Sequence, residues 1–220
     1  GQPGLYGIGC AHAFNATGAV VSAIEEWLAP RLIGRDAANI EDIWQSTFTS
    51  GYWRSGPILN TALGGIDIVL WDIKGKHFDE PIHRLLGGKQ HDRIRAYASI
   101  LFGPDGKATE KIGQQWRDVG YTAVKFGWEP MGQDERLDLE LVRGARAGVG
   151  QEGIVLVDAG CVWDRRTALS RAVAFADYGI GWLEEPLLPD DVDVTAGCET
   201  GRRFRSPPAR RSVAGKRCGR

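Results

Sequence analysis

Four short runs rich in β-branched residues, each bounded by glycine, recur at intervals of about 27 to 32 residues in the second half of this 220-residue chain. They occupy residues 94–99, 121–127, 153–160 and 179–186, and helix-like sequence follows each of the first three. Strands that alternate with helices at this interval form βα units on a parallel sheet. The pattern therefore predicts an α/β fold, built either as an open doubly wound sheet or as a (β/α)8 barrel.

Charged residues stand at the carboxyl ends of the last three runs. Lys125 ends the second run, Asp158 the third, and Glu184 with Glu185 the fourth, whereas no glycine-rich phosphate-binding motif follows the first. The carboxyl ends of barrel strands form one ring, so these side chains are expected to converge there. Each alone could be an ordinary loop residue or a salt-bridge partner, but one per unit in register favours a functional site. Carboxylates without cysteine or histidine nearby favour Mg²⁺ over Zn²⁺.

The first ninety residues predict one strand followed by helices. Residues 5–14, LYGIGCAHAF, alternate like a strand whose partner lies upstream, so we expect that an N-terminal piece is missing. The predicted helices cover residues 19–32, ending near Pro30, then 39–48, 60–78, and a short segment opened by Pro81. We therefore expect a capping domain over residues 1–90 and the first half of a barrel over 91–194.

Several motifs resemble the mandelate racemase branch of the enolase superfamily. They are GGIDIVLWDIKGK, PIHRLLGG, AVKFGW, VDAG and WLEEP, in this order and spacing over residues 5–194. The resemblance implies a partial (β/α)8 TIM-type barrel preceded by an incomplete α+β capping domain, with Mg²⁺ held by acidic residues. It implies that Asp158 and Glu184 are metal ligands and that Lys125 is the first lysine of the family's catalytic K-x-K motif. It also implies an enzyme whose intact relatives are homo-oligomers. Because no apolar run is long enough to span a membrane and residues 1–10 lack a signal-peptide pattern, we expect the cytoplasm as its compartment.

The departure at Gly127 bears on the reaction. It occupies the position of the family's second lysine, and a glycine cannot move a proton, so a racemase or epimerase of 2-hydroxy acids is disfavoured. We expect instead a Mg²⁺-dependent dehydratase of acid sugars, aldonic or aldaric acids, that abstracts the proton α to a carboxylate through an enediolate. Lys125 then acts as a cation beside the substrate carboxylate. The candidates for substrate contact, with packing as their competing role, are His12, Trp53, Arg54 and Trp128.

The last 26 residues differ from the rest in charge. Residues 195–220 hold 8 of the 27 Lys and Arg residues and 1 of the 28 acidic ones, which allows a non-catalytic chain with a polyanion-binding tail as an alternative. Arg210 stands where a third acidic ligand is expected. Read in the neighbouring frame, the same codons allow Val-Pro-Ile-Ala-Ala-Gly-Glu, ending on codon 210. We therefore expect a frame change near Val194, an incomplete and inactive fragment, and neither nucleic acid nor membrane as partner.

Overall fold

The computed structural model describes residues 3–52 and 56–190 of the chain. The chain divides into two compact units, Gly1–Arg93 and Ile94–Arg220. No helix in the described ranges is long and apolar enough to cross a membrane. The basic tail and the expected frame change lie outside the described residues.

The described part of the first unit is helical. Its segments are α1 (Thr17–Ser22), a π-helical turn (Ala23–Leu28), α2 (Ala29–Leu32), α3 (Ile40–Ser50), α4 (Pro57–Phe78) and α5 (Ile82–Leu85). Two small clusters hold them together, one around Val20, Leu28 and Ala62 and the other around Ile40 and Ile43. The helices predicted from hydrophobic periodicity are therefore confirmed in kind and order.

The helix predicted over residues 19–32 is confirmed, and the helical run ends at Leu32, two residues after Pro30. A π-helical turn precedes the proline, and the N–H of Ala29 donates to the carbonyl of Ile24. Pro30 consequently lies in the first turn of α2. A proline is tolerated there because its missing N–H leaves few helical hydrogen bonds unmade.

The strand predicted over residues 5–14 is wrong. No residue in this range is assigned to a strand, and the segment instead runs along α4. A Cβ on Gly9 would lie 2.2 Å from the carbonyl oxygen of Gly65, so the two backbones touch. The N–H of Ile8 donates to Oδ2 of Asp72 at 2.7 Å. A helix has no free backbone groups along its side, so this contact forms no β ladder.

The second unit is built on a four-stranded parallel sheet. Its elements are β1 (Ala98–Leu101), α6 (Gly106–Val119), β2 (Ala123–Gly127), α7 (Glu135–Val149), β3 (Ile154–Asp158), α8 (Arg165–Ala176) and β4 (Leu183–Glu184). Each predicted run overlaps a strand, although β4 has only two residues. The spatial order β1-β2-β3-β4 equals the chain order. A doubly wound sheet would reverse its order, so the described strands form an α/β partial barrel.

Aspartate caps define the first turns of the helices in this unit, and a glycine contact joins two of the helices. Asp105, Asp134 and Asp164 each cap a helix, because their side chains accept a hydrogen bond from the backbone N–H three residues later. Helices α6 and α7 meet backbone to backbone, since a Cβ on Gly144 would lie 2.0 Å from the carbonyl oxygen of Gly106. The capped helices are thereby held against one face of the sheet.

Strand register divides the sheet into a helix-covered face and an open face. Val124, Phe126, Val155 and Val157 are fully buried in the large core beneath the helices. Alternate residues point to the other face. There Gly127 pairs with Asp158, and Asp158 pairs with Glu184, in one row across three strands.

A buried arginine ties the opposite end of the sheet together. Arg146, near the end of α7, donates to the carbonyl oxygens of four residues at 2.7 to 2.9 Å: Gly150, Gly153, Tyr178 and Gly179. Burial lowers the pKa of its guanidinium. The carbonyl dipoles take the place of water around the charge, so Arg146 connects α7 to the segments that lead into β3 and β4.

Candidate active site

Lys125, Asp158 and Glu184 meet at the carboxyl ends of three adjacent strands. The Nζ of Lys125 lies 2.7 Å from Oε1 of Glu184 and 3.3 Å from Oδ2 of Asp158. The side chains of Lys125 and Asp158 are 12% and 9% exposed, and that of Glu184 is 34% exposed. The convergence predicted from the sequence is confirmed. The three side chains form one ion-paired cluster, in which the side chain of Glu184 is the most exposed to solvent.

The two carboxylates keep Lys125 protonated. Burial alone would lower the pKa of this lysine, but the hydrogen bonds that it donates to Glu184 and Asp158, together with their negative charges, outweigh burial and hold the pKa above its ordinary value. Lys125 itself is therefore cationic at neutral pH, although the two carboxylates around it leave the cluster without a net positive charge. A protonated lysine can donate to an anionic group but cannot take up a proton.

Trp128 borders the cluster on the side of Asp158. Its backbone N–H donates to the carbonyl oxygen of Asp158 at 3.0 Å. The N–H of Gly160 donates to Oδ1 of the same aspartate at 3.1 Å, at a backbone φ of +63° that favours glycine. A Cβ at Gly160 would stand 3.0 Å from Cδ1 of Trp128. The indole, which is 58% exposed, thus covers the turn that orients the aspartate.

Gly127 provides no side chain at the row occupied by the carboxylates. It is buried and pairs in register with Asp158. A Cβ placed on it would lie 3.3 Å from the Cβ of Asp158, a tight but not forbidden contact. The structure therefore agrees with the sequence that this position offers no proton-transferring group.

The other three predicted substrate contacts belong to the first unit, not to the unit that holds the cluster. His12 is an exposed residue of the first unit, and Trp53 and Arg54 lie outside the described residues. The other histidines, at positions 77, 83 and 91, also belong to the first unit. No histidine occurs in the second unit. Proposals for these three residues consequently rest on the sequence alone.

Family sequence models match both units. The N-terminal domain of the mandelate racemase / muconate lactonizing enzyme family matches residues 1–87, and the enolase C-terminal domain-like family matches residues 107–205. The chain belongs to the mandelate racemase and muconate lactonizing enzyme family of the enolase superfamily. The resemblance seen in the sequence is confirmed.

Individual members of this family give the extent of the likeness. The chain is 48% identical to the D-galactonate dehydratase family member RspA of Pantoea ananatis over 141 residues. These aligned residues make up 64% of the chain and 34% of that relative. A putative mandelate racemase from Bordetella bronchiseptica superposes with a TM-score of 0.84 at 33% identity, over 92% of the chain and 54% of that structure. An enolase from Pantoea ananatis with bound D-gluconate and Mg superposes with a TM-score of 0.81 at 33% identity, over 91% of the chain and 57% of that structure. The chain thus spans about a third of the curated relative and about half of the solved structures.

The donor chemistry of the cluster fits Mg²⁺ in kind. Asp158 and Glu184 are hard oxygen donors in adjacent strands, and both already hold one cation, the ammonium of Lys125. Within residues 3–52 and 56–190, however, no three His, Cys, Asp or Glu side chains gather closely enough to hold a metal. The expected third ligand position, Arg210, lies outside those ranges. Asp158 and Glu184 are therefore candidate ligands for a magnesium ion.

Sequence reasoning missed two residues at the cluster. Trp182 donates its indole N–H to Oε2 of Glu184 at 3.2 Å, and Tyr97 packs edge-on against the Trp182 ring. The signal for Trp182 was present, because a residue two positions before Glu184 in a strand points to the same face. Tyr97 could not be found in this way, since it comes from the far edge of the sheet.

Proposed function

We propose that the chain carries the first metal-binding half of a dehydratase for acid sugars, aldonic or aldaric acids. The observation that carries the proposal is the Lys125, Asp158 and Glu184 cluster, placed at strand ends beside a glycine where a second base would stand. Relatives named D-galactonate dehydratase family members, and one structure with bound D-gluconate and Mg, support the substrate class and the metal.

In this proposal Asp158 and Glu184 hold Mg²⁺, which when bound supplies positive charge for the substrate carboxylate. Lys125 contributes a second positive charge from the neighbouring row. When the proton on C2 leaves, negative charge grows on the carboxylate, and a cation already fixed in place stabilises that charge without reorganising. The hydroxyl on C3 then departs with a proton as water, and the enol formed becomes the 2-keto-3-deoxy acid.

In this proposal the base that takes the C2 proton is none of the described residues of the second unit. Lys125 is assigned here to the substrate carboxylate, and Gly127 has no side chain. Epimerisation at C2 would need a proton donor and acceptor on both faces of the carbon, whereas dehydration needs a base on one. The single-faced arrangement therefore favours dehydration over racemisation.

The test is turnover of a library of C5 and C6 aldonic and aldaric acids in D2O with MgCl2, using protein expressed from the complete gene. A 2-keto-3-deoxy product is expected from acids that share one C2 configuration. Asp158→Asn and Glu184→Gln should abolish it, while Glu185→Gln, which changes the neighbouring carboxylate, should retain it. Interconversion of C2 epimers with deuterium in both would replace the dehydratase with an epimerase, and absence of any turnover would reject both.

A further inference from the structure

Four side chains on the open face of the sheet form a closed cycle of contacts. Lys125 binds Glu184 through Oε1, and Trp182 binds the same carboxylate through Oε2. Tyr97 completes the cycle, because its ring contacts the indole of Trp182 edge-on at 5.8 Å and lies under the ammonium of Lys125 at 5.8 Å. Each side chain therefore has two neighbours within the cycle.

Strand register explains why Trp182 reaches the glutamate. Val157 pairs with Leu183, which places Trp182 beside Leu156 and hence in the same row as Lys125. Glu184 follows two residues later and points to the same face, one row nearer the strand ends. The indole and the ammonium thus approach one carboxylate from the row below it. Its two oxygens are held by two different donors.

This anchoring restricts a side chain that is otherwise free to turn. Glu184 has three rotatable bonds, is a third exposed and stands on a two-residue strand at the edge of the described sheet. The lysine alone would hold one oxygen and leave the carboxylate free to rotate about that contact. The indole is a rigid donor, and Tyr97 packs against its ring.

We propose that Trp182 is a positioning residue that fixes the carboxylate orientation of Glu184 for metal binding, with Tyr97 supporting the indole. The proposal rests on the proposed function in that it takes Glu184 as a ligand of Mg²⁺. Partners hydrogen-bonded to a ligating carboxylate commonly contribute 10- to 100-fold to metal affinity. Because Trp182 is partly exposed, its contribution belongs at the lower end of that range.

The first measurement is titration with MgCl2 by calorimetry, on protein expressed from the complete gene as in the turnover test. Trp182→Phe keeps an aromatic ring and loses the donor, and it should weaken Mg²⁺ binding by about tenfold. Trp163→Phe is the matched control, because the indole N–H of Trp163 has no hydrogen-bond partner among the described residues. It should bind Mg²⁺ within about twofold of the unchanged protein. Equal affinities of the two variants would overturn the positioning role, whereas an unchanged protein that binds no Mg²⁺ would reject the proposed function instead.

The second measurement needs no metal, and it reads the indole of Trp182 while Glu184 is changed. The indole ¹H–¹⁵N resonance of Trp182, assigned by its absence from Trp182→Phe, should move upfield in Glu184→Ala because the charged acceptor is gone. Glu185→Ala should leave it in place. A Trp182 resonance unaffected by Glu184→Ala would show that the hydrogen bond is not formed and would overturn the proposal, whatever the metal titration gives.

Discussion

Replacement of Arg146 by methionine tests the hydrogen bonds that this arginine makes at the end of the sheet opposite the charged cluster. Methionine has similar length and fills the same space, but it removes a guanidinium that donates to four carbonyl oxygens at 2.7 to 2.9 Å. The acceptors are distributed over the end of α7 and the segments before β3 and β4. The substitution therefore removes the tie among three elements without leaving a large cavity.

The expected loss of stability follows from the acceptors. A hydrogen bond to a charged group contributes about 1.5 to 3 kcal/mol, so four of them give an upper bound of about 6 to 12 kcal/mol. Two terms reduce this figure. All four acceptor residues are partly exposed, so water can replace some of the bonds, and burial of the charge itself is relieved. We expect a net loss of about 3 to 5 kcal/mol, a large fraction of the roughly 5 to 15 kcal/mol of a typical domain.

Urea unfolding followed by tryptophan fluorescence measures the loss. With a slope of about 2 kcal/mol per molar urea, the midpoint of Arg146→Met should fall by about 2 M. Arg117→Met is the matched control, since Arg117 donates to one carbonyl, that of Gly148, and otherwise to the exposed Asp118. Its loss should stay below about 1 kcal/mol. Equal midpoints for the two variants would refute the assignment of Arg146 as a structural tie.

Three further predictions concern other parts of the chain. Arg171→Met should destabilise by about 3 kcal/mol in the same assay, because it leaves the fully buried carboxylate of Asp138 without the donor that stands 2.8 Å away; a loss below 1 kcal/mol would contradict this. The ion pairs of Lys125 should stabilise the fold below the ordinary lysine pKa of 10.5, and this stabilisation should be lost as the pH rises through the raised pKa of the folded state. The difference in free energy of unfolding between the unchanged protein and Lys125→Met should therefore shrink between about pH 8 and pH 11.5. A difference that grows over this range would count against the ion pairs. Sequencing of the gene through codon 194 should reveal a shifted frame that stays open, and a stop within a few codons in both alternative frames would exclude it.

The spacing of the β-branched runs and the glycines that bound them were sufficient to predict the partial barrel. The interval between β-branched runs reports a repeated βα unit, and charged residues at strand ends report a shared edge. Both are local signals with a fixed geometric meaning, so Lys125, Asp158 and Glu184 could be placed together before any coordinates were known. The bounds of β4 could not, since the run has eight residues and only two form the ladder.

The features that the sequence did not predict correctly depend on contacts between residues that are distant in the chain. Alternation in residues 5–14 reports a segment with two unlike faces, but a strand also needs a partner, and the sequence does not say what the segment lies against. Arg146 looks like any charged residue near the end of a helix. Its role depends on carbonyl groups up to 33 residues away in the chain. Long-range contacts of this type leave no local pattern, and Tyr97 escaped notice for the same reason.

The glycine contact between α6 and α7 limits how this chain can change during evolution. Because Gly106 and Gly144 touch through their backbones, neither position has room for any other residue unless the helices separate. A second pair, Gly113 and Gly148, repeats the arrangement, since a Cβ on Gly148 would lie 3.0 Å from the Cα of Gly113. The two βα units must therefore change together or not at all along this seam.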